Sequence, residues 1–357
     1  MDKELVMKVL LMIFTTFLFV TFLIPFIRKI AIHIGAVDIP NERKVHKQPM
    51  PRLGGVAIFL GFLLGYMIFG KPSSIMNSIL IGSFIIVLTG VVDDIKPLKA
   101  STKFAGQLIA ACIVVFYGNI LLKDLSAFGL YLDFGILAYP ITIFFILCCI
   151  NCMNLIDGLD GLAGGISSIY FLTIGIICTL QGKSGLDFVL TYVMLGSTLG
   201  FLVHNFNPAS IFMGDSGSMF LGFIISSIAL LGFKNVTMSS LIIPLLILAI
   251  PILDTIFAII RRLLKGENIS TPDKFHIHHQ LLNRNFDQRS TVLIIYLINI
   301  LFAFASIVYV LKDALLGYVM YGILLVIVIL FVLKTNVIVD HDNKPKFKIK
   351  IFKGKKE

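Results

Sequence analysis

The sequence predicts an all-α, polytopic integral membrane protein of about eleven transmembrane helices, N-terminus outside and C-terminus cytoplasmic. Three observations predict it. Hydrophobic residues make up 57% of the 357 and charged ones only 14%, a balance that soluble domains do not carry. The apolar residues gather into runs of roughly bilayer-spanning length. The basic residues gather in alternate loops, as cytoplasmic loops require.

Each run follows from its flanks. The first, at 5–27, is too long for a secretory leader and no small-residue cleavage site follows it, so it reads as a retained span. Residues 28–52 form a polar loop carrying Arg28, Lys29, Arg43, Lys44, Lys47 and Arg52. Runs at 53–70 and 75–92 come next, and the second ends on Asp93 and Asp94, followed by Lys96, Lys99 and Lys103. Runs at 103–120 and 136–153 lead into the glycine-rich stretch Asn154-Leu-Ile-Asp-Gly-Leu-Asp-Gly-Leu-Ala-Gly-Gly165. Runs at 160–180, 186–204, 216–232 and 239–260 follow, the last closing on Arg261 and Arg262. After a polar loop at 261–290, runs at 291–311 and 314–334 complete a single transmembrane domain over 1–334, and 335–357 is a basic cytoplasmic tail.

Of the 30 Lys and Arg residues, 23 fall on the side that holds the 28–52 and 261–290 loops and the tail. The formal charge of +10 is therefore membrane topology and attraction to anionic headgroups, and nucleic-acid binding is excluded for want of a soluble fold to present the charge. The five cysteines, Cys112, Cys148, Cys149, Cys152 and Cys178, lie inside apolar runs. Cys149 and Cys152 have a C-x-x-C spacing without nearby basic activation, so they read as packing residues. No internal repeat is visible.

Carboxylates at membrane depth mark function. Asp93, Asp94, Asp157, Asp160, Asp215 and Asp254 all fall, by the topology read from Lys and Arg alone, at or just under the cytoplasmic face. Adjacent Asp93 and Asp94 repel one another unless a cation intervenes. Asp157 and Asp160 share one helix face at i, i+3 spacing. Asp215, followed by Ser216 and Gly217, could equally be a helix N-cap. Together with Asn154, these oxygens suit a hard divalent cation, Mg2+ with Mn2+ as a substitute. His276, His278 and His279 lie beside Arg261, Arg262 and Lys265, where imidazoles suit phosphate better than zinc, and Lys47 and Arg52 add cations. Such a site at a membrane surface suggests phosphoryl chemistry on a lipid.

Six ordered motifs carry a family resemblance. They are Arg-Lys-Val-His with Pro-Arg-Leu-Gly-Gly; Asp-Asp-x-x-x-Leu; Asn-x-x-Asn-Leu-Ile-Asp-Gly-Leu-Asp-Gly-Leu; Asn-Phe-x-Pro-Ala-x-Ile-Phe-Met-Gly-Asp-Ser-Gly-Ser; Pro-Ile-x-Asp-Thr; and His-Ile-His-His. The set, running from about residue 5 to 334, resembles the polyprenyl-phosphate N-acetylhexosamine-1-phosphate transferases (glycosyltransferase family 4). Pro51-Arg-Leu-Gly-Gly55, where the pentapeptide translocases of peptidoglycan synthesis read Pro-Thr-Met-Gly-Gly, looks like the branch that uses UDP-GlcNAc to begin teichoic-acid or O-antigen polymers.

The resemblance implies transfer of GlcNAc-1-phosphate from UDP-GlcNAc to undecaprenyl phosphate at the cytoplasmic face of a bacterial plasma membrane. It implies Mg2+ held mainly by Asp215, with Asn154 and Asp157 close by. Asp93 and Asp94 would orient or deprotonate the acceptor and share the cation, while Asp160 would support the loop or tune Asp157. Lys47 and His278 or His279 would meet the pyrophosphate, with His276, Arg52, Arg261 and Arg262 as further substrate-binding candidates. Phe212 would stack on uracil, and Asn205 and Asn207 would contact uridine. Direct displacement and an aspartyl intermediate both stay open. Asp254 reads as a structural ion pair with a basic neighbour, and a homodimer is compatible with the apolar helix faces. A secondary transporter would gather its ionisable groups near the midplane at a repeat interface. A lipid phosphatase would release inorganic phosphate rather than UMP.

Overall fold

The computed structural model describes residues 3–40, 48–127, 130–233, 242–266, 275–311, 314–335 and 337. In chain order its helices are α1 (Lys3–His33), α2 (Gly54–Phe69), α3 (Ser74–Ile95), α4 (Ala100–Cys112), α5 (Ala138–Ile156), α6 (Leu162–Leu180), α7 (Leu186–Asn205) and α8 (Gly214–Phe233). They continue with α9 (Ile242–Ile247), α10 (Ala249–Lys265), α11 (Ile277–Asn283), α12 (Gln288–Leu311) and α13 (Ala314–Leu333). Among the described residues nine helices are long and apolar enough to cross a bilayer, which makes this a polytopic membrane protein.

Three of the predicted runs take another form, and in 103–120 the helix α4 gives way after Cys112 to a π-helical segment at Ile113–Tyr117. Run 53–70 is α2, 16 residues long. Run 239–260 is broken at Leu248 into α9 and α10. The cause is Pro251, which has no N–H for the carbonyl of Ile247 and whose ring would clash with it. The all-α expectation needs one correction, because two small antiparallel ribbons are present. β1 (Val37–Asp38) pairs with β2 (Met50–Pro51), and β3 (Asp124–Ala127) with β4 (Leu130–Asp133). Two-residue strands leave no alternation to read, and the β3–β4 segment was too short and mixed to separate from a loop.

The bundle is built around α8. In its apolar stretch 94% of residues are buried, against 28% in α1 and 22% in α13, so α8 is the axis and those two face lipid. Lipid tails offer no hydrophobic drive for helices to meet, so close backbone approach through small residues must supply the packing. A Cβ on Gly55 of α2 would lie 2.0 Å from the Gly217 nitrogen, and one on Gly90 of α3 would lie 2.3 Å from the Ser216 Cα. A Cβ on Gly222 would lie 2.5 Å from the Ile150 Cα of α5. Three neighbours thus press directly on the α8 backbone. α1 lies against α7 in the same manner, where a Cβ on Gly200 would lie 2.5 Å from the Phe17 carbonyl oxygen.

Hydroxyls inside the bundle are satisfied locally. Thr16 donates to the Met12 carbonyl (2.9 Å), Ser197 to Val193 (2.9 Å) and Ser227 to Phe223 (2.8 Å), which is how a spanning helix carries such groups without a water partner. The C-terminal ends of α3, α5 and α7 and the N-terminal ends of α2, α4, α6, α8 and α12 converge at one end of the bundle, where the carboxylates lie.

The packing at α8 generates a direct expectation. Gly55→Ala and Gly90→Ala each put a methyl group into backbone, and each lowers the thermal midpoint of the detergent-purified protein by the equivalent of about 1–3 kcal/mol. Gly322→Ala, at a site with open space around the Cβ, leaves it unchanged. Equal midpoints for all three would show that α2 and α3 do not sit on α8 as described.

Candidate active site

The site begins at the first turn of α8, whose leading N–H groups have no partner within the helix. The partner comes from α3. Asp94 Oδ1 accepts from the Asp215 backbone N–H at 2.8 Å, and Oδ2 accepts from the Ser216 N–H at 3.1 Å and the Ser216 hydroxyl at 2.8 Å. Asp94 is therefore an N-cap supplied by another helix, and its side chain is 0% exposed. The cap reading entertained for Asp215 belongs to Asp94 instead. Gly214 permits the contact, since it has φ +73° and a Cβ there would lie 2.3 Å from Asp94 Oδ2.

With its backbone held by Asp94, Asp215 projects its own carboxylate outward between two cations. Lys103 Nζ lies 2.6 Å from Asp215 Oδ2 and 3.3 Å from Asp93 Oδ2. Arg52 Nη2 lies 3.5 Å from Asp215 Oδ1 and 3.4 Å from Asp94 Oδ1, while Nη1 reaches Asp38 at 3.3 Å. Asp93 Oδ1 also accepts from the Leu98 N–H at 2.8 Å, which turns the chain after α3 and presents Lys103.

Above this cluster opens a cleft of about 390 Å³, lined by Asn154, Asp157, Asp160, Asp215, Arg52 and Asp38 on its charged side and by Phe212, Asn205, His279 and Gln288 around the rest. Asn154 Nδ2 donates to the Ser218 hydroxyl at 2.8 Å, which leaves its carbonyl oxygen for the cleft. Asp157 follows the last residue of α5 and sits half-buried. Burial pushes its carboxyl up to about 7, the Asp215 charge adds to the effect, and Arg52 opposes it.

A second frame holds the cleft open on the other side. Asp160 Oδ2 accepts from Asn207 Nδ2 (2.9 Å) and the Ala209 N–H (3.1 Å). Asn205 takes the Gly161 N–H on its side-chain oxygen (3.0 Å) and donates to the Ile211 carbonyl (2.9 Å). Arg289 Nε closes the ring on the Asn207 carbonyl at 2.8 Å. Asp160 thus supports the loop, one of the two roles foreseen for it, and Asn207 is a frame residue.

The histidine turn completes the wall. His279 reaches the cleft, whereas His276 and His278 lie beneath it at 6% and 2% exposure. The basic neighbour expected for Asp254 is His276, whose Nδ1 lies 2.8 Å from Asp254 Oδ2.

Arg52, Asn154, Asp157, Asp160, Asn205, Phe212, Asp215 and His279 are therefore brought together as expected. Asp93 and Asp94, expected also as metal ligands, do not line the cleft. They sit below it at 6% and 4% exposure, turned to Lys103 and to the α8 backbone. Arg261 and Arg262 are buried on α10, away from the cleft lining, and Arg261 donates to the carbonyls of Phe275 and Val337. Lys47 lies outside the described residues. Lys103, Asp38 and Gln288 were not singled out as site residues. The available signal was Lys103's place as a lone cation inside an apolar helix.

Among the described residues no three His, Cys, Asp or Glu side chains form a ready-made metal cage. Mg2+ does not need one, because it keeps waters and binds through one or two carboxylates plus phosphate oxygens. Asp157, Asp215 and the Asn154 oxygen supply that donor chemistry on one wall. Arg52 and Lys103 do not balance the carboxylates of Asp38, Asp93, Asp94, Asp157, Asp160 and Asp215, which leaves an excess of negative charge for a cation to offset.

Comparison with known proteins agrees with this architecture. Residues 76–233, which carry α3 through α8 and most of the carboxylates, match the model of "Glycosyl transferase family 4". The chain is 42% identical to a Bacillus subtilis protein named probable undecaprenyl-phosphate N-acetylglucosaminyl 1-phosphate transferase, over 88% of both chains. It is 32% identical to the decaprenyl-phosphate N-acetylglucosaminephosphotransferase of Mycolicibacterium smegmatis, over 76% of this chain and 74% of the relative. It is also 32% identical to the undecaprenyl-phosphate alpha-N-acetylglucosaminyl 1-phosphate transferase of Salmonella typhi, over 78% of each. With likeness of that depth along nearly its whole length, the chain belongs to glycosyl transferase family 4.

Proposed function

We propose that this protein transfers GlcNAc-1-phosphate from UDP-GlcNAc to undecaprenyl phosphate, releasing UMP and forming the lipid pyrophosphate on which a cell-wall polymer, wall teichoic acid, is begun. The observation that carries the reading is the cleft wall of Asn154, Asp157 and Asp215, flanked by Arg52, Lys103 and His279 at one end of the bundle. The names of the relatives point to the same donor and to a polyprenyl acceptor. Eleven spans, with the N-terminus outside, bring this end to the cytoplasmic face of the plasma membrane, where nucleotide sugars are found. The distribution of Lys and Arg supports that placement.

The acceptor phosphate has a second pKa of about 6 and needs little activation at neutral pH. In one displacement or through an aspartyl intermediate, the bond from the sugar-bearing phosphorus to the bridging oxygen breaks, a bond from that phosphorus to the acceptor oxygen forms, and UMP leaves with the electron pair. Arg52 and His279, on the cleft wall, present donors to the pyrophosphate where charge develops, and Lys103 acts by holding Asp215. Phe212 offers its ring to uracil. Asp93 and Asp94 act at one remove, Asp93 by holding Lys103 and Asp94 by holding α8. Asp215, Asp157 and Asn154 are the residues that would hold Mg2+, which would supply charge neutralisation to the pyrophosphate and the departing UMP.

The test is UMP release by detergent-purified protein given Mg2+, undecaprenyl phosphate and UDP-GlcNAc. Release that depends on all three, and falls by about 100-fold or more in both Asp157→Asn and Asp215→Asn, is expected. Near-normal turnover in either variant removes that residue from the site. With UDP-MurNAc-pentapeptide in place of UDP-GlcNAc no lipid product forms; efficient use of the peptide donor would move the chain to peptidoglycan synthesis, the second reading.

A pH signature accompanies Asp157. Its carboxyl titrates near 7 in the fold, against 3.8 as the ordinary value, so without metal the fold loses stability as pH rises between those values. Asp157→Asn therefore raises the metal-free melting temperature more at about pH 8 than at about pH 5. An equal shift at both, followed by differential scanning fluorimetry in EDTA, would contradict the burial of this carboxylate.

A further inference from the structure

We infer that Asp254 is a positioning residue for the transfer reaction, acting on the cleft through the histidine turn; this inference rests on the transferase reading above. Asp254 lies in the second turn of α10, is 2% exposed, and does not line the cleft. Both of its oxygens engage the start of the turn. Oδ1 accepts from the Ile277 backbone N–H at 2.7 Å, at the first residue of α11, and Oδ2 meets His276 Nδ1 at 2.8 Å. One carboxylate thus fixes the backbone and one ring of the same segment.

That ring is the first of three imidazoles in mutual contact. The His276 and His278 rings lie parallel within 6° at 5.6 Å, and the His278 and His279 rings meet at 4.3 Å with a tilt of 45°. His278 abuts Gly158, where a Cβ would lie 2.7 Å from its Nε2, and Gly158 is the residue after Asp157. His279 enters the cleft itself. A chain of ring contacts therefore runs from the turn to the cleft, and Asp254 fixes its first ring.

A carboxylate facing Nδ1 also selects the tautomer of His276, because it can only accept a hydrogen bond there. A structural helix cap needs no such selection. Asp254→Asn separates the two duties, since its amide oxygen still accepts from Ile277 while the amide nitrogen can face only an unprotonated Nδ1.

The experiment is steady-state UMP release by full-length protein in detergent, with Asp254→Asn, His279→Ala and the double variant. Asp254→Asn lowers kcat by about 10–100-fold, the usual range for a partner that orients an active-site histidine. It leaves KM for UDP-GlcNAc within about threefold, because uracil is held elsewhere in the cleft. In the His279→Ala background the same substitution costs little more, since the two residues act as one unit. A second readout needs no turnover. Carbethoxylation of His278 by diethylpyrocarbonate, followed by peptide mass spectrometry, is slow in the unaltered protein and accelerates several-fold in Asp254→Ala.

Unchanged kcat in Asp254→Asn, losses that multiply in the double variant, or unchanged His278 reactivity would each overturn the inference. If the unaltered protein releases no UMP, the transferase reading fails, and the reactivity of His278 decides whether Asp254 holds the turn.

Discussion

The bond network between Asp94 and the first turn of α8 is the constraint on which the rest of the site depends. A helix terminus buried inside a membrane protein must find partners for its leading N–H groups, and Asp94 provides them from α3. The contact is possible because Gly214 takes a left-handed conformation and because Gly55 and Gly90 let two more backbones close on the same turn. Once α8 is fixed there, Asp215 is held at its second residue, and the positions of Lys103 and Arg52 follow from the carboxylates they meet.

The electrostatic consequence is a graded cluster. Asp94 lies deepest, and its two oxygens take three hydrogen bonds from the first turn of α8. Asp93 and Asp215 share Lys103 at an intermediate level. Asp157 stands at the cleft, where burial and the Asp215 charge outweigh Arg52 and hold its proton to about 7. A site organised this way engages its inner carboxylates with protein partners and leaves the Asp157 carboxylate on the cleft wall, where it meets what enters.

Much of this was legible beforehand. Nine of the eleven apolar runs correspond to single α-helices; 103–120 passes from α4 into a π-helical segment, and 239–260 contains the proline that divides it. The gathering of Asp157, Asp215, Asn154 and Arg52 was readable because ionisable residues in an apolar chain have few other reasons to exist. The roles of Asp93 and Asp94 were not readable. A cap supplied by a helix more than a hundred residues away leaves no local pattern, and from the chain alone an Asp-Asp pair looks like a pair of ligands. Asp38 was hidden for the same reason, since it reaches the cleft only through the pairing of Val37 with Pro51 and of itself with Met50. Arg261 and Arg262 looked like phosphate ligands by charge, yet their side chains turn into protein on a helix whose direction only the fold defines.

The burial of α8 bears on how the chain enters the membrane. Its apolar stretch has a mean hydropathy of 1.5, against 2.5 for α1 and 2.8 for α13, because it carries glycines and hydroxyls that pack but do not favour lipid. The helices that press on it, α2, α3, α5 and α7, all precede it in the sequence. During synthesis the ribosome therefore delivers α8 to a cage whose walls have already been made. The polar segment that carries Asp215 can leave the translocon into protein rather than into lipid, so the order of the gene mirrors the order in which the bundle can close.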